Sequence, residues 1–150
     1  MYGEVLALDR TIRSFFVPTH LQVKMEDGIW PWSKDLALAM EQYNIVSNKE
    51  LSKYQAVCIE LTYEYIRTHV DLMTLHRTYF TVALHGQHPL DHPYRYSLLA
   101  AYESAMRTYS AVRDLHTVHP QNTNGIMEFW SILFTSCVRI STIVSCACIR

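Results

Sequence analysis

A row of apolar and aromatic residues between positions 51 and 82 recurs at intervals of three and four. The row consists of Leu51, Tyr54, Cys58, Leu61, Tyr65, Leu72, Leu75, Tyr79 and Val82, with Thr68 in its one polar position. This spacing puts the side chains on one face of an α-helix, so we expect a long helix that buries that face. Ser47 and Glu50 have the spacing of a capping box at its start. We expect the helix to end near Gly86, with a bend or break near Thr74.

Further segments on both sides of this row also have helical patterns. The predicted helices cover residues 4–16, with Val5, Leu8 and Ile12 facing inward, then 33–45, 95–117 and an apolar stretch over 126–149. Small residues in the third of these, Ala100, Ala101, Ser104 and Ala105, allow a neighbouring helix to approach closely. The chain has only 4 Gly and 5 Pro in 150 residues, too few for a turn-rich β-sandwich or barrel. We therefore expect an all-α, irregular antiparallel bundle of about four to five helices that forms one domain over residues 1–150.

The charged residues are balanced and give no basic patch for nucleic acid. The 13 Lys and Arg stand among 14 Asp and Glu, for a net charge of -1. Because proteins hold the phosphate backbone mainly with clustered Lys and Arg, we expect no direct nucleic-acid contact by this chain. The sequence also lacks the motifs of nucleotide-binding loops, serine hydrolases and zinc peptidases. We predict neither catalytic residues nor a bound cofactor.

Four motifs, in order along the chain, carry a resemblance to a known family. They are LDRTIRSFFVPTHL (Leu8–Leu21), LHRTYF (Leu75–Phe80), YRYSLLAAYESA (Tyr94–Ala105), and FW (Phe129 and Trp130) followed by Phe134. Together they resemble the fungal-specific transcription factor domain, the middle homology region of zinc-cluster regulators, over roughly residues 1–135. Thr78 stands where the family usually has proline, and the last 15 residues depart from the family pattern.

The resemblance implies an all-helical, non-catalytic domain that modulates transcription by RNA polymerase II. In the family this region lies C-terminal to a zinc cluster and acts through contacts within the parent transcription factor, with co-regulators or with a small-molecule effector. The C-x2-C-x6-C pattern of the DNA-binding zinc cluster is absent from this sequence. We therefore expect a partial regulatory domain over 1–150, located in the nucleus, or in the cytoplasm as an isolated fragment.

His76 and Arg77 within the second motif are the candidate functional residues. Arginine presents a rigid fork of donors, and histidine changes charge near neutral pH, so the pair could contact a ligand or a partner. The favoured alternative is a structural clasp in which Arg77 binds helix-end carbonyls or an acid such as Asp71, because helix ends need such partners.

Two metal-like groupings and a pair of close cysteines are weaker candidates. His85, His88 and His92 share one loop with Asp91, and imidazole and carboxylate are zinc ligands. This loop lacks a supporting zinc motif, and His116-x-x-His119 lies at a predicted helix end. One residue between Cys146 and Cys148 is too short a spacing for a typical structural zinc site, so we predict reduced thiols and no metal.

The apolar segment 129–149 gives an alternative function, that of a small membrane-associated protein anchored by this segment. Its 21 residues are long enough to span a bilayer. Arg139 near its middle and six Ser or Thr residues favour a buried helix instead. If apolar faces stay exposed, we also expect self-association of the chain when it is expressed alone.

Overall fold

The computed structural model of the chain describes residues 1–15, 46–122 and 127–148. Within these ranges the chain forms five α-helices. The helices are α1 (Tyr2–Phe15), α2 (Asn48–Leu75), α3 (Arg77–Leu84), α4 (Arg95–Val118) and α5 (Met127–Cys148), with short 3-10 turns at Pro89–Asp91 and Pro120–Asn122. The described residues contain no strand, which confirms the predicted all-α class. The predicted connection 17–32 and helix 33–45 lie outside the described residues.

Helix α2 begins at the predicted capping box. The Ser47 hydroxyl accepts a hydrogen bond from the Glu50 N–H at 3.3 Å. The Glu50 carboxylate accepts from the Ser47 hydroxyl at 3.1 Å and from the Val46 N–H at 3.2 Å. The Glu50 carboxylate thus bonds the N–H of Val46, the residue before the N-cap Ser47. Together these bonds satisfy N–H donors at the helix start that have no partner within the helix.

The long predicted helix is interrupted at His76, two residues after the expected position near Thr74. His76 closes α2 with an N–H bond to the Leu72 carbonyl at 3.1 Å. Its backbone angles, φ -84° and ψ -4°, stay in the right-handed helical region, and α3 starts at the next residue. The two helices are therefore separated by this single residue, which we call the bend, and α3 ends at Leu84, close to the expected end near Gly86.

Helices α2, α4 and α5 form the main core. The α2–α4 pair is antiparallel, because the end of α2 contacts the start of α4, and Tyr65 in mid-α2 contacts Arg107. Helix α5 runs antiparallel to α4, since Trp130 packs on His116 and Ile143 packs near Leu98. One core cluster contains Tyr65, Ile66, Ala111, Val112 and Leu115, with Ile132 and Leu133 of α5 against it. A second contains Phe80, Ala83, Leu98 and Ala101.

The buried face of α2 is rotated from the predicted row. Cys58, Tyr65 and Leu72 are buried as expected, whereas Val82 at the end of the row is 47% exposed. The polar residues Thr62, His69 and His76 occupy buried positions instead. The expectation that the large row residues all face inward is therefore wrong.

Helix α4 contributes a face of small residues to the core. Its buried face includes the four small residues Ala100, Ala101, Ser104 and Ala105, as predicted. Such a face lets neighbouring helices approach α4 closely. Tyr102 and Tyr109 lie half-buried at its edges, and Leu99 and Met106 are exposed.

Helix α5 carries the apolar segment that raised the membrane alternative. Among the residues that the structure describes, no helix combines the length and apolarity required to cross a bilayer. Helix α5 exposes apolar side chains on the side away from the core, namely Trp130, Phe134, Val138 and Val144. We refer to these four residues as the α5 outer face.

Candidate functional site

Three polar residues from distant parts of the chain meet inside the bundle. Asp9 comes from α1, His76 from the bend between α2 and α3, and Ser97 from the first turn of α4, and all three are fully buried. His76 Nε2 lies 2.6 Å from Asp9 Oδ2, and His76 Nδ1 lies 2.9 Å from Ser97 Oγ. Because an ionised carboxylate can only accept, Nε2 carries the hydrogen that faces Asp9. We call these three residues the clasp.

Asp9 is the most heavily bonded member of the clasp. Arg13, one turn later on α1, donates from Nε to Asp9 Oδ1 at 2.6 Å, and the Tyr96 hydroxyl approaches the same oxygen at 3.4 Å. Burial alone would raise the pKa of the Asp9 carboxyl, but hydrogen bonds from Arg13 and His76 outweigh it and lower the pKa below its usual value. The charged form of Asp9 is therefore the one that the fold stabilises.

An aromatic wall closes the clasp on its other side. Ser97 Oγ is 3.2 Å from the Tyr2 hydroxyl of α1. The Tyr2 ring packs against Tyr79 of α3 and Tyr94 at the start of α4, with ring centroids 4.5 and 4.7 Å away. Tyr79 and Tyr94 also contact each other at 4.8 Å. These contacts limit water access to the polar residues, which strengthens their hydrogen bonds.

A hydrolytic triad also links an Asp, a His and a Ser by hydrogen bonds. The surroundings of Ser97 in the clasp, however, differ from those of a catalytic serine. A serine nucleophile must reach a substrate carbonyl and needs nearby N–H donors for the oxyanion. Here Ser97 Oγ is fully buried, and its own N–H already donates to the Tyr94 carbonyl at 2.9 Å. The arrangement is chemically suited to holding α1 against the α2–α3 bend and the start of α4.

The two predicted site residues point in different directions. His76 is fully buried in the clasp, whereas Arg77 is exposed at the first position of α3. The acid beside the bend is Asp9, not Asp71, and its partner is His76 instead of Arg77. The Leu75-His76-Arg77 motif therefore contributes one interior residue and one surface residue.

The predicted histidine loop is held by local hydrogen bonds. His85 Nδ1 lies 2.8 Å from the Thr81 carbonyl, and the Tyr94 N–H donates to His92 Nδ1 at 3.1 Å. Within residues 1–15, 46–122 and 127–148, no group of three or more His, Cys, Asp or Glu is placed to hold a metal ion. His116 packs edge-on against Trp130, with ring centroids 5.5 Å apart.

A further buried histidine lies in the α2–α4 interface. His69 is 6% exposed, and its Nδ1 has no hydrogen-bond partner within the described part of the chain. The hydroxyls of Ser104 and Thr108 on α4 are also buried and have no hydrogen-bond partner among the described residues. Burial lowers the pKa of His69 to about 3, with further lowering by the charges of Arg107 and Arg13. His69 is therefore neutral in the folded protein at ordinary pH.

Sequence reasoning missed the roles of Asp9, Ser97 and His69. The burial of Asp9 could have been predicted from the helical pattern. Tyr2, Val5, Asp9 and Ile12 share one helical face, and Asp9 is the one charged residue among these four. The expected inward residue Leu8 is 49% exposed. Ser97 had only its fixed place in the third motif, and His69 stands beside the predicted row with no distinguishing pattern.

No protein-family model, no curated protein and no solved structure matches this chain.

Proposed function

We propose that this chain is a non-catalytic regulatory domain, part of the middle region of a fungal zinc-cluster transcription factor. In this role it modulates transcription by RNA polymerase II in the nucleus. It acts through contacts with other regions of the parent factor, with co-regulators or with a small-molecule effector, and makes no direct contact with nucleic acid.

The observation that supports this proposal is the convergence of three family-like motifs on the clasp. Asp9 belongs to the LDR motif, His76 to LHRTYF and Ser97 to the Tyr94–Ala105 motif. Asp9 and His76 are 67 residues apart in sequence, and His76 and Ser97 are 21 apart, yet they share two short hydrogen bonds. If the three motifs matched the family by chance, there would be no reason for one residue of each to lie at the same buried site.

The small residues of the third motif have a matching structural role. Ala101, Ser104 and Ala105 of α4 are fully buried, and Ala101 packs in one core cluster with Phe80 and Ala83 of α3. The motifs thus mark residues that hold helices together, which is consistent with a domain that works by folding and contact instead of by chemistry. The exposed Arg77 and the α5 outer face remain available for partners.

A transcriptional reporter tests the proposal. The chain is fused behind a heterologous DNA-binding domain in yeast, and reporter output is compared with that of the DNA-binding domain alone at matched expression. We expect output to rise or fall by several-fold. Ala101→Asp is the matched control, because a charge at this fully buried position disrupts the fold, and it should abolish the effect.

Equal output from the wild-type fusion, the Ala101→Asp fusion and the DNA-binding domain alone would count against a regulatory role. The genomic sequence upstream provides a separate check. An in-frame cysteine cluster with zinc-cluster spacing would support the assignment, and an unrelated domain there would oppose it.

A further inference from the structure

Helix α5 uses one of its sides to pack on the bundle. Ile132 and Leu133 lie against the main core cluster, and Ile143 lies against the second. Residues 130–148 include a single charged residue, Arg139. Its Nη1 donates a hydrogen bond to the Met73 carbonyl of α2 at 2.7 Å. The charge of this segment is therefore directed toward the bundle.

The opposite side of α5 is exposed and uncharged. Phe134 at its centre is 71% exposed. The structure describes every residue from 130 to 145, and the exposed ones are Trp130, Ser131, Phe134, Thr135, Val138, Ser141, Val144 and Ser145. Contiguous exposed apolar area marks a contact surface. A charged partner would gain no ion pair here, so this side is suited to a surface that is also apolar and uncharged, as a second copy of the same side is.

Five residues along this side have the spacing of a coiled-coil seam. Their intervals of four, three, four and three keep side chains on the line along which two helices pack at a small crossing angle. The seam extends over about 21 Å of helix. We call these residues the α5 seam: Trp130, Phe134, Cys137, Ser141 and Val144.

The α5 seam changes in size from one end to the other. Its first two residues are large aromatics, and its last three are smaller. In a parallel pair of seams, each aromatic ring would meet its own counterpart, and the small residues would leave a gap at the other end. In an antiparallel pair, the rings of each copy lie over the small residues of the other, and two-fold symmetry makes this match twice. Close helix packing requires such matching of large and small groups.

We propose that two copies of this chain associate through an antiparallel, two-fold pairing of their α5 seams. Trp130 and Phe134 of each copy cover the small half of the other seam. A contact one helix wide and about 21 Å long is small beside a standard interface of roughly 1,600 Å². The dimer therefore forms at micromolar concentrations and dissociates on dilution. This pairing goes beyond the transcriptional role and does not depend on it.

Sedimentation velocity of the whole chain at about 1–200 μM tests the pairing. We expect the dimer fraction to rise with concentration and to fall in Phe134→Ala. Val57→Ala is the matched control, because Val57 of α2 is 54% exposed and lies outside the seam, and it should dimerise as the wild type does. A chain that stays monomeric over this range, or that forms larger assemblies, would overturn the proposal. So would a monomer that binds phosphatidylcholine vesicles, because a lipid surface would then cover the seam.

A size swap within the seam separates specific pairing from general stickiness. Ser141→Phe adds apolar area at an exposed position, but it fills the space that an aromatic ring of the other copy occupies. The Kd should therefore rise about ten-fold or more. Adding Phe134→Ala reopens that space, so the double variant should dimerise more tightly than Ser141→Phe alone. Tighter association of Ser141→Phe than of the wild type would refute the antiparallel pairing.

Discussion

His69 should make the stability of this protein fall steeply in mildly acidic solution. In the unfolded chain its imidazole takes up a proton with a pKa near 6.5, as an ordinary histidine does. In the folded chain burial lowers that pKa to about 3. Between these two values the unfolded state binds the extra proton, so stability is complete above about pH 6.5 and is lost as the pH falls toward 3.

The magnitude follows from this difference in proton uptake. Well below pH 6.5, each unit of pH costs about 1.4 kcal/mol of unfolding free energy for one such group. Because the loss begins gradually around pH 6.5, the drop between pH 7 and pH 5 is about 2 kcal/mol from His69 alone. This is a sizeable fraction of the total stability of a typical domain.

Urea unfolding at pH 7 and pH 5 measures the effect in the wild type and in two matched variants. His69→Gln removes the titrating group, so its stability should change between the two pH values by about 2 kcal/mol less than that of the wild type. His88→Gln makes the same change at an exposed position and should leave the wild-type pH dependence nearly intact. In NMR spectra, the His69 ring signals should show no titration step between pH 5 and 7.5.

An identical pH dependence in the wild type and His69→Gln would refute the reasoning. It would mean that His69 takes up its proton equally in the folded and unfolded states, and hence that it is not held neutral in the α2–α4 interface.

Three other substitutions test the bundle. Ser97→Ala leaves His76 Nδ1 without its partner and should cost about 1–3 kcal/mol in urea unfolding; a cost below about 0.5 kcal/mol would contradict the bond. Ser47→Ala should cost about 1 kcal/mol through loss of the helix cap, while the control Ser52→Ala, one turn inside α2, should cost less. Phe134, 71% exposed on the uncharged α5 outer face, should promote self-association. In size-exclusion chromatography Phe134→Ser should shift the chain toward monomer, and a wild type that is already monodisperse and monomeric would contradict this.

The helices themselves could be predicted from the sequence because their signals are local. The capping box at Ser47 and the scarcity of glycine and proline each act over a few residues. The bend at His76 was expected near Thr74, an error of two residues. The small residues of α4 could also be assigned to a close helix contact, because their size alone allows one.

The buried faces were harder to predict because they depend on the partner helix. The row through Leu61 and Val82 contains the larger apolar side chains, so its pattern indicated that face. The structure also buries Thr62, His69 and His76, and His76 is held in the interior by partners on two other helices, Asp9 and Ser97. A pattern within one helix carries no information about the shape of the helix that packs on it.

The clasp could not be derived from local pattern because its members are far apart in the chain. Asp9 on the inward face of α1 is unfavourable unless a buried donor faces it. That donor is His76, 67 residues later. The motif resemblance contained the relevant letters, but only the fold brings them into contact.

A double-mutant cycle between Asp9→Asn and His76→Gln tests the clasp most directly. Urea unfolding at pH 7 gives the cost of each single variant and of the double variant. The two side chains share a buried, charge-assisted hydrogen bond. The free-energy cost of the double variant should therefore differ from the sum of the two single costs by about 1.5–3 kcal/mol. A cycle of Asp9→Asn with the exposed His88→Gln should be additive. Additivity within about 0.5 kcal/mol for the Asp9–His76 cycle would contradict the clasp, and with it the main structural support for the motif resemblance.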